Sequence, residues 1–197
     1  MKKKILYLLS IIAVILQVCM DQYTKILSVR YLKGEKGIVL IDGVLQLFYV
    51  ENRGAAFGIL QNSTVFFCIV TAFILVAIIY VYIRMPFEKK YMPLFVLLSF
   101  LTAGAIGNLI DRVANGFVVD FIYFSLIDFP VFNMADIYVT VSTALIILLS
   151  LFKYRDDDFA FLRFKRDADF HENELLKKDF KDSEAESEAP TKTESES

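Results

Sequence analysis

Four apolar runs, at about residues 5–20, 64–83, 91–110 and 131–152, decide what this 197-residue chain can become. Crossing hydrocarbon takes about 20 apolar residues, with a range of roughly 17–25. Inside lipid every backbone N–H and C=O has to be satisfied within protein, so such runs form helices. The first run is short by that measure but continues through Met20 to Tyr23. A hydrophobic fraction of 56% and a mean hydropathy of +0.53 agree with a helix bundle in lipid. The pattern predicts an all-α membrane protein of four transmembrane helices.

The segment MKKKILYLLSIIAVILQVC has the basic start and apolar stretch of a signal peptide. Val18 stands before Cys19 where a cleavage site wants a small residue, so the segment reads as a retained helix. The net charge of −2 averages two unlike regions. Residues 1–152 carry 12 Lys and Arg against 9 Asp and Glu, net +3; residues 153–197 carry 9 against 14, net −5. Lys2, Lys3 and Lys4 flank the first run, Arg84, Lys89 and Lys90 fill the second link, and Lys153 and Arg155 follow the fourth run. Basic residues concentrate on the cytoplasmic side of membrane proteins. Both termini are therefore expected inside, with the 24–63 and 111–130 loops outside.

That topology sorts the acidic residues. Asp21, Asp111, Asp120, Asp128 and Asp136 all fall at or near the outer boundary. Asp136 lies inside the fourth apolar run, where a carboxylate costs roughly 2.5–3.5 kcal/mol at a span centre. An ionisable residue in a span is a functional-site hypothesis by default. If the helix starts at 131, Asp136 is about 7–8 Å into it at 1.5 Å per residue. Asn133 is then one turn earlier on the same face. Asn108 is expected at similar depth in the third helix. An ion carrier would line a path through the midplane; this polar set is one-sided.

Other segments carry weaker signals. KGIVLIDGVLQLFYVEN reads as two strands around an Asp42-Gly43 turn, a hairpin apolar enough to lie on the outer membrane surface. NRGAAFGIL (52–60) reads as a short interfacial helix or turn, and Asn62, Ser63 and Thr64 offer caps for the second helix. Ala103 and Gly107 form a small-xxx-small pair that allows close helix approach. Residues 153–182 alternate Phe and Leu with charges, as an amphipathic surface segment does. Residues 183–197 are acidic and low in complexity, the composition of disorder. Cys19 and Cys68 read as apolar fillers without a disulfide, and His171, the only His, as a solvated surface residue.

With no His or Cys near the pocket, neither a transition-metal site nor a Ser-His or Cys-His nucleophile is expected. Carboxylate chemistry remains. Two close carboxylates share a proton. The ionised one can take a proton from water, and the protonated one can polarise a carbonyl and protonate a leaving amine. Spacing leaves the pair open among Asp21, Asp111, Asp120 and Asp136. Asp21 is placed to pair with Lys25 at i, i+4, and Asp111 with Arg30, Arg53 or Arg112, so these two read as supports. Asp128 reads as solvated.

DQYTK (21–25), NRGAAF (52–57), GAIGNLIDR (104–112), VVDFI (118–122) and FNMAD (132–136) together resemble the lipoprotein signal peptidase (signal peptidase II) family, in its order, over about residues 5–152. The resemblance implies a four-helix membrane aspartic peptidase with an outer-surface β-cradle. It implies removal of signal peptides before the diacylglyceryl-modified cysteine of bacterial prolipoproteins. It assigns the catalytic pair to Asp120 and Asp136, support to Asn52, Asn108, Arg112 and Asn133, maintenance of the site to Asp21, Lys25 and Asp111, and substrate contact to Gly54, Ala55 and Ala56. It implies no cofactor and no metal. The expected partners are lipidated prolipoproteins and membrane lipid, with no nucleic acid. The expected setting is a multi-pass monomer in the bacterial cell (inner) membrane with its active site facing outward. Ile137, Ser142 and Ala103 depart from the family's usual Ser, Gly and Gly. The 45-residue tail lies outside the resemblance.

Overall fold

The computed structural model describes residues 2–54 and 63–162. The chain forms helix α1 (Lys2–Leu32), strands β1 (Ile38–Ile41) and β2 (Leu45–Asn52), helices α2 (Thr64–Arg84) and α3 (Met92–Asn115), strand β3 (Val118–Phe124) and helix α4 (Met134–Phe152). All four helices are long and apolar enough to cross a membrane. Their outward faces expose large apolar side chains, among them Phe73, Val113 and Phe152. In water such a surface would drive aggregation; in lipid it is the solvated face. The chain is a multi-pass membrane protein.

The element ends follow local chemistry. Pro86 follows α2, and Pro93 sits in the first turn of α3, where its missing N–H costs no helical bond. Gly116 ends α3 with φ of +79°, and its N–H bonds back to the Arg112 carbonyl. Asn133 caps α4. Its side-chain oxygen accepts from the Asp136 N–H, while the Asp136 carboxylate accepts from the Asn133 N–H.

Several boundaries differ from those expected. α1 runs on to Leu32, so Lys25 and Arg30 are helical rather than in an outer loop. α3 continues past Ile110, which places Asp111 and Arg112 inside it. α4 starts at Met134, so Asp136 is in its first turn and Asn133 precedes the helix rather than sharing its face. Ser63 makes no side-chain cap; Thr64 instead donates to the Gly116 carbonyl at 2.9 Å, tying α2 to the end of α3. The interfacial segment expected at 52–60 lies outside the described residues beyond Gly54.

The sheet has three strands, not two. β1 and β2 form the Asp42-Gly43 hairpin, with Gly43 at φ +67°. β3 lies within the expected 111–130 loop and pairs antiparallel with β2 from Leu45↔Phe124 to Asn52↔Val118. The register slips by one residue between Leu47 and Val50, a bulge that sets Asp120 opposite Val50. Phe132 then bridges to Ile122 and leads the chain into α4. The other side of the bundle is closed by Ile78, Met85, Tyr91, Leu94, Phe95, Leu98 and Tyr154, with Phe159 and Phe161 packed on them. The first compact unit accordingly extends to Phe161, nine residues past the end of α4.

Candidate active site

Two carboxylates enter one cleft from different elements. Asp120 comes from β3 and Asp136 from the first turn of α4. They line a cleft of 520 Å³ together with Asn52, Gly54 and Arg112. Apart from Thr140 its remaining wall is apolar, from Phe124 and Ile127 through Phe132 to Ile137 and Val141. Asp120 is 1% exposed. Burial in a low-dielectric site penalises its charged form, and the nearby Asp136 charge adds to this. Together they push the Asp120 carboxyl up to about 7, against the opposing pull of its bonds from Asn52 and Asn133.

Three asparagines hold the pair. Asn52 Nδ2 donates to Asp120 Oδ2 at 2.8 Å. Asn133 Nδ2 donates to Asp120 Oδ1 at 2.6 Å. Asn108 Nδ2 donates to Asp136 Oδ1 at 2.8 Å, and the Asn133 N–H reaches Asp136 Oδ2 at 3.1 Å. The amide orientations are forced rather than chosen. Asn133 Oδ1 accepts from the Asp136 N–H, so only its NH₂ can face Asp120. Asn52 Oδ1 accepts from the Gly54 N–H, with the same consequence.

Behind the asparagines lies a buried charge cluster. Lys25 Nζ contacts Asp21 Oδ2 at 2.9 Å, Asp111 Oδ2 at 3.0 Å and Asn108 Oδ1 at 2.9 Å. Asp21 also accepts from the Ala135 N–H, which seats α4 against α1. Asp111 accepts from the Val119 N–H, which ties β3 to α3 one residue before Asp120. The i, i+4 pairing of Asp21 with Lys25 matches its expected spacing, whereas Asp111 pairs with Lys25 and not with an Arg. Adjacent helical residues diverge by about 100°, so Asp111 and Arg112 face different ways. Arg53 is occupied by Glu51. Gly107 makes room for this cluster, because a Cβ there would collide with the Asp21 carboxylate.

Of the other sequence candidates, Gly54 lines the cleft, while Ala55 and Ala56 lie outside the described residues. Asp128 is exposed, as a loop residue should be, and accepts from the Tyr123 hydroxyl. Gln22 was missed. Its Nε2 reaches Asp21, the Gly107 carbonyl and Asp111. Its place beside Asp21 in DQYTK was the available signal. Among the described residues no group of three or more His, Cys, Asp or Glu could hold a metal ion.

A family model described as signal peptidase (SPase) II matches residues 12–152. The lipoprotein signal peptidase of Caldanaerobacter subterraneus subsp. tengcongensis is 43% identical over 146 residues, 74% of this chain and 97% of that relative. That of Brevibacillus brevis is 44% identical over 131 residues, 66% of this chain and 87% of the relative. A solved bacterial membrane enzyme superposes with a TM-score of 0.63 at 36% identity, over 80% of this chain and 93% of its own. On the matched length and identity, the chain belongs to the signal peptidase II family.

Proposed function

We propose that this protein is a membrane aspartic endopeptidase that removes the signal peptide from diacylglyceryl-modified prolipoproteins, cutting before the lipidated cysteine. The observation that carries this reading is the pairing of Asp120 and Asp136 in one cleft, each carboxylate gripped by asparagines that can only donate to it. The names of the relatives support the substrate class. The Lys and Arg distribution supports inside termini and an outward-facing cleft. The apolar wall suits a substrate whose acyl chains stay in lipid.

The chemistry needs one shared proton. It rests on Asp120, the more deeply buried carboxyl. Asp136 takes a proton from a water as the water oxygen bonds to the scissile carbonyl carbon. Asp120 passes its proton to the carbonyl oxygen, and a tetrahedral diol forms. Asp136 then protonates the amide nitrogen, a diol hydroxyl returns its proton to Asp120, and the C–N bond breaks. The products are the signal peptide's new carboxyl end and the free amine of the lipidated cysteine. Both carboxylates end as they began.

The test is purified full-length protein in lipid with a synthetic diacylglyceryl-modified precursor, read by mass spectrometry. A fragment beginning at the lipidated cysteine is expected. No cleavage, or cleavage at another bond, would count against the reading.

A further inference from the structure

The dyad has a cationic neighbour that leaves it alone. Arg112 lines the same cleft as Asp120 and Asp136. A guanidinium carries five N–H donors in a planar fork suited to carboxylates. Yet among the described residues Arg112 forms no ion pair, and its one hydrogen bond, to the Asn108 carbonyl, is long at 3.5 Å. What holds it is an aromatic face: its Cζ lies 5.0 Å from the ring centroid of Phe67, on α2. A cation over a ring face is attracted by the ring quadrupole, more strongly where water is scarce.

We propose that Phe67 is a positioning residue, whose ring holds the Arg112 guanidinium off the Asp120–Asp136 pair and leaves its N–H donors free for a substrate carbonyl. The physical need is plain. An Arg⁺ that closed onto either carboxylate would favour the charged form and strip the pair of its shared proton. Held on the ring, the same cation faces the cleft unspent. The titratable groups around it are Asp136 on α4, Cys68 on α2, Asp120 on β3 and Asp111 on its own helix. Lys25 lies behind the carboxylates and is already committed to Asp21 and Asp111. The inference deepens the aspartic reading above and rests on it for the substrate.

The test reads the dyad directly. In full-length protein in lipid, the infrared band of the protonated Asp120 carboxyl, identified by its loss in Asp120→Asn, is titrated against pH. In Phe67→Leu the band should disappear at lower pH than in wild type, by about 1 pH unit, the lower end of what a nearby Arg does to a carboxylate. Phe67→Tyr, which keeps the ring face, should titrate like wild type. In an Arg112→Gln background, Phe67→Leu should shift nothing. An unshifted band in Phe67→Leu, or an equal shift in the Arg112→Gln background, would overturn the proposal. Cleavage of the lipidated precursor by the same samples separates the two claims. Absent wild-type cleavage with a shifted band would sink the peptidase reading and leave the Phe67 assignment standing.

Discussion

Lys25 decides which way Asn108 faces. Its ammonium, which can only donate, takes Asn108 Oδ1 at 2.9 Å, and so turns the Asn108 NH₂ onto Asp136 Oδ1 at 2.8 Å. A buried residue outside the cleft thus sets the polarity of a hydrogen bond inside it. The same ammonium bridges Asp21 and Asp111, which anchor the start of α4 and the first residues of β3.

Replacing Lys25 should therefore cost fold and function together. Lys25→Met leaves two buried carboxylates without their cation, a loss of about 3–5 kcal/mol. Thermal unfolding in detergent should show a clear drop in Tm. A Tm equal to wild type would mean that the cluster does not hold the bundle.

Stability should also depend on pH through Asp120. Its folded pKa of about 7 lies above the ordinary 3.8, so the folded state binds the proton more tightly than the unfolded chain does. Its contribution is then fully present below about pH 4 and is lost as pH rises through about 7. Relative to wild type, Asp120→Asn should gain up to about 1.4 kcal/mol per pH unit inside that window and nothing more above it. Denaturant unfolding of both proteins from pH 4 to pH 8 measures the difference; a constant offset would remove the titration from Asp120.

The approach of α3 to α4 at Gly104 should be intolerant of one methyl group. A Cβ at Gly104 would stand 2.5 Å from the Ala135 carbonyl oxygen and 2.7 Å from Val139 Cγ2. The first is backbone and cannot swing aside. Gly104→Ala should lose about 1–3 kcal/mol as α3 and α4 separate. An unchanged Tm would show that the two helices have room to part without cost.

The segment after α4 contributes unequally. Tyr154 is buried and stacked on Tyr91, and the Tyr91 hydroxyl donates to the Asp158 carbonyl at 2.8 Å. Ending the chain after Phe152 should lower Tm, because loss of a buried large aromatic costs about 3–5 kcal/mol. Deleting 183–197 should leave turnover on a lipidated substrate nearly unchanged, since that stretch has no aromatic residue to bury. A large fall in turnover at equal folded protein would bring the tail into the machinery.

Much of this was legible in the chain because the bilayer simplifies the problem. A 20-residue apolar run has one solution, and Asp42-Gly43 between β-branched runs has few. The strand β3 was harder. VVDFIYF has an Asp at its centre, and its partner β2 is far away in sequence, so no local turn announced the pairing. The charges at Asp111 and Arg112 suggested the end of a span, whereas α3 ends only where Gly116 can take a left-handed turn. The Asn133 cap could have been read: Asn followed three residues later by Asp is a capping box. Which cation Asp111 chooses is a three-dimensional outcome, settled by helix faces that spacing alone does not bring together.

The proposed sharing of one proton by Asp120 and Asp136 is tested by turnover of the lipidated precursor by Asp120→Asn and Asp136→Asn at equal folded protein. Asn keeps the shape and cannot pass the proton, so each variant should lose about 10²–10⁴-fold or more in kcat. Near-normal turnover by either variant would contradict the account.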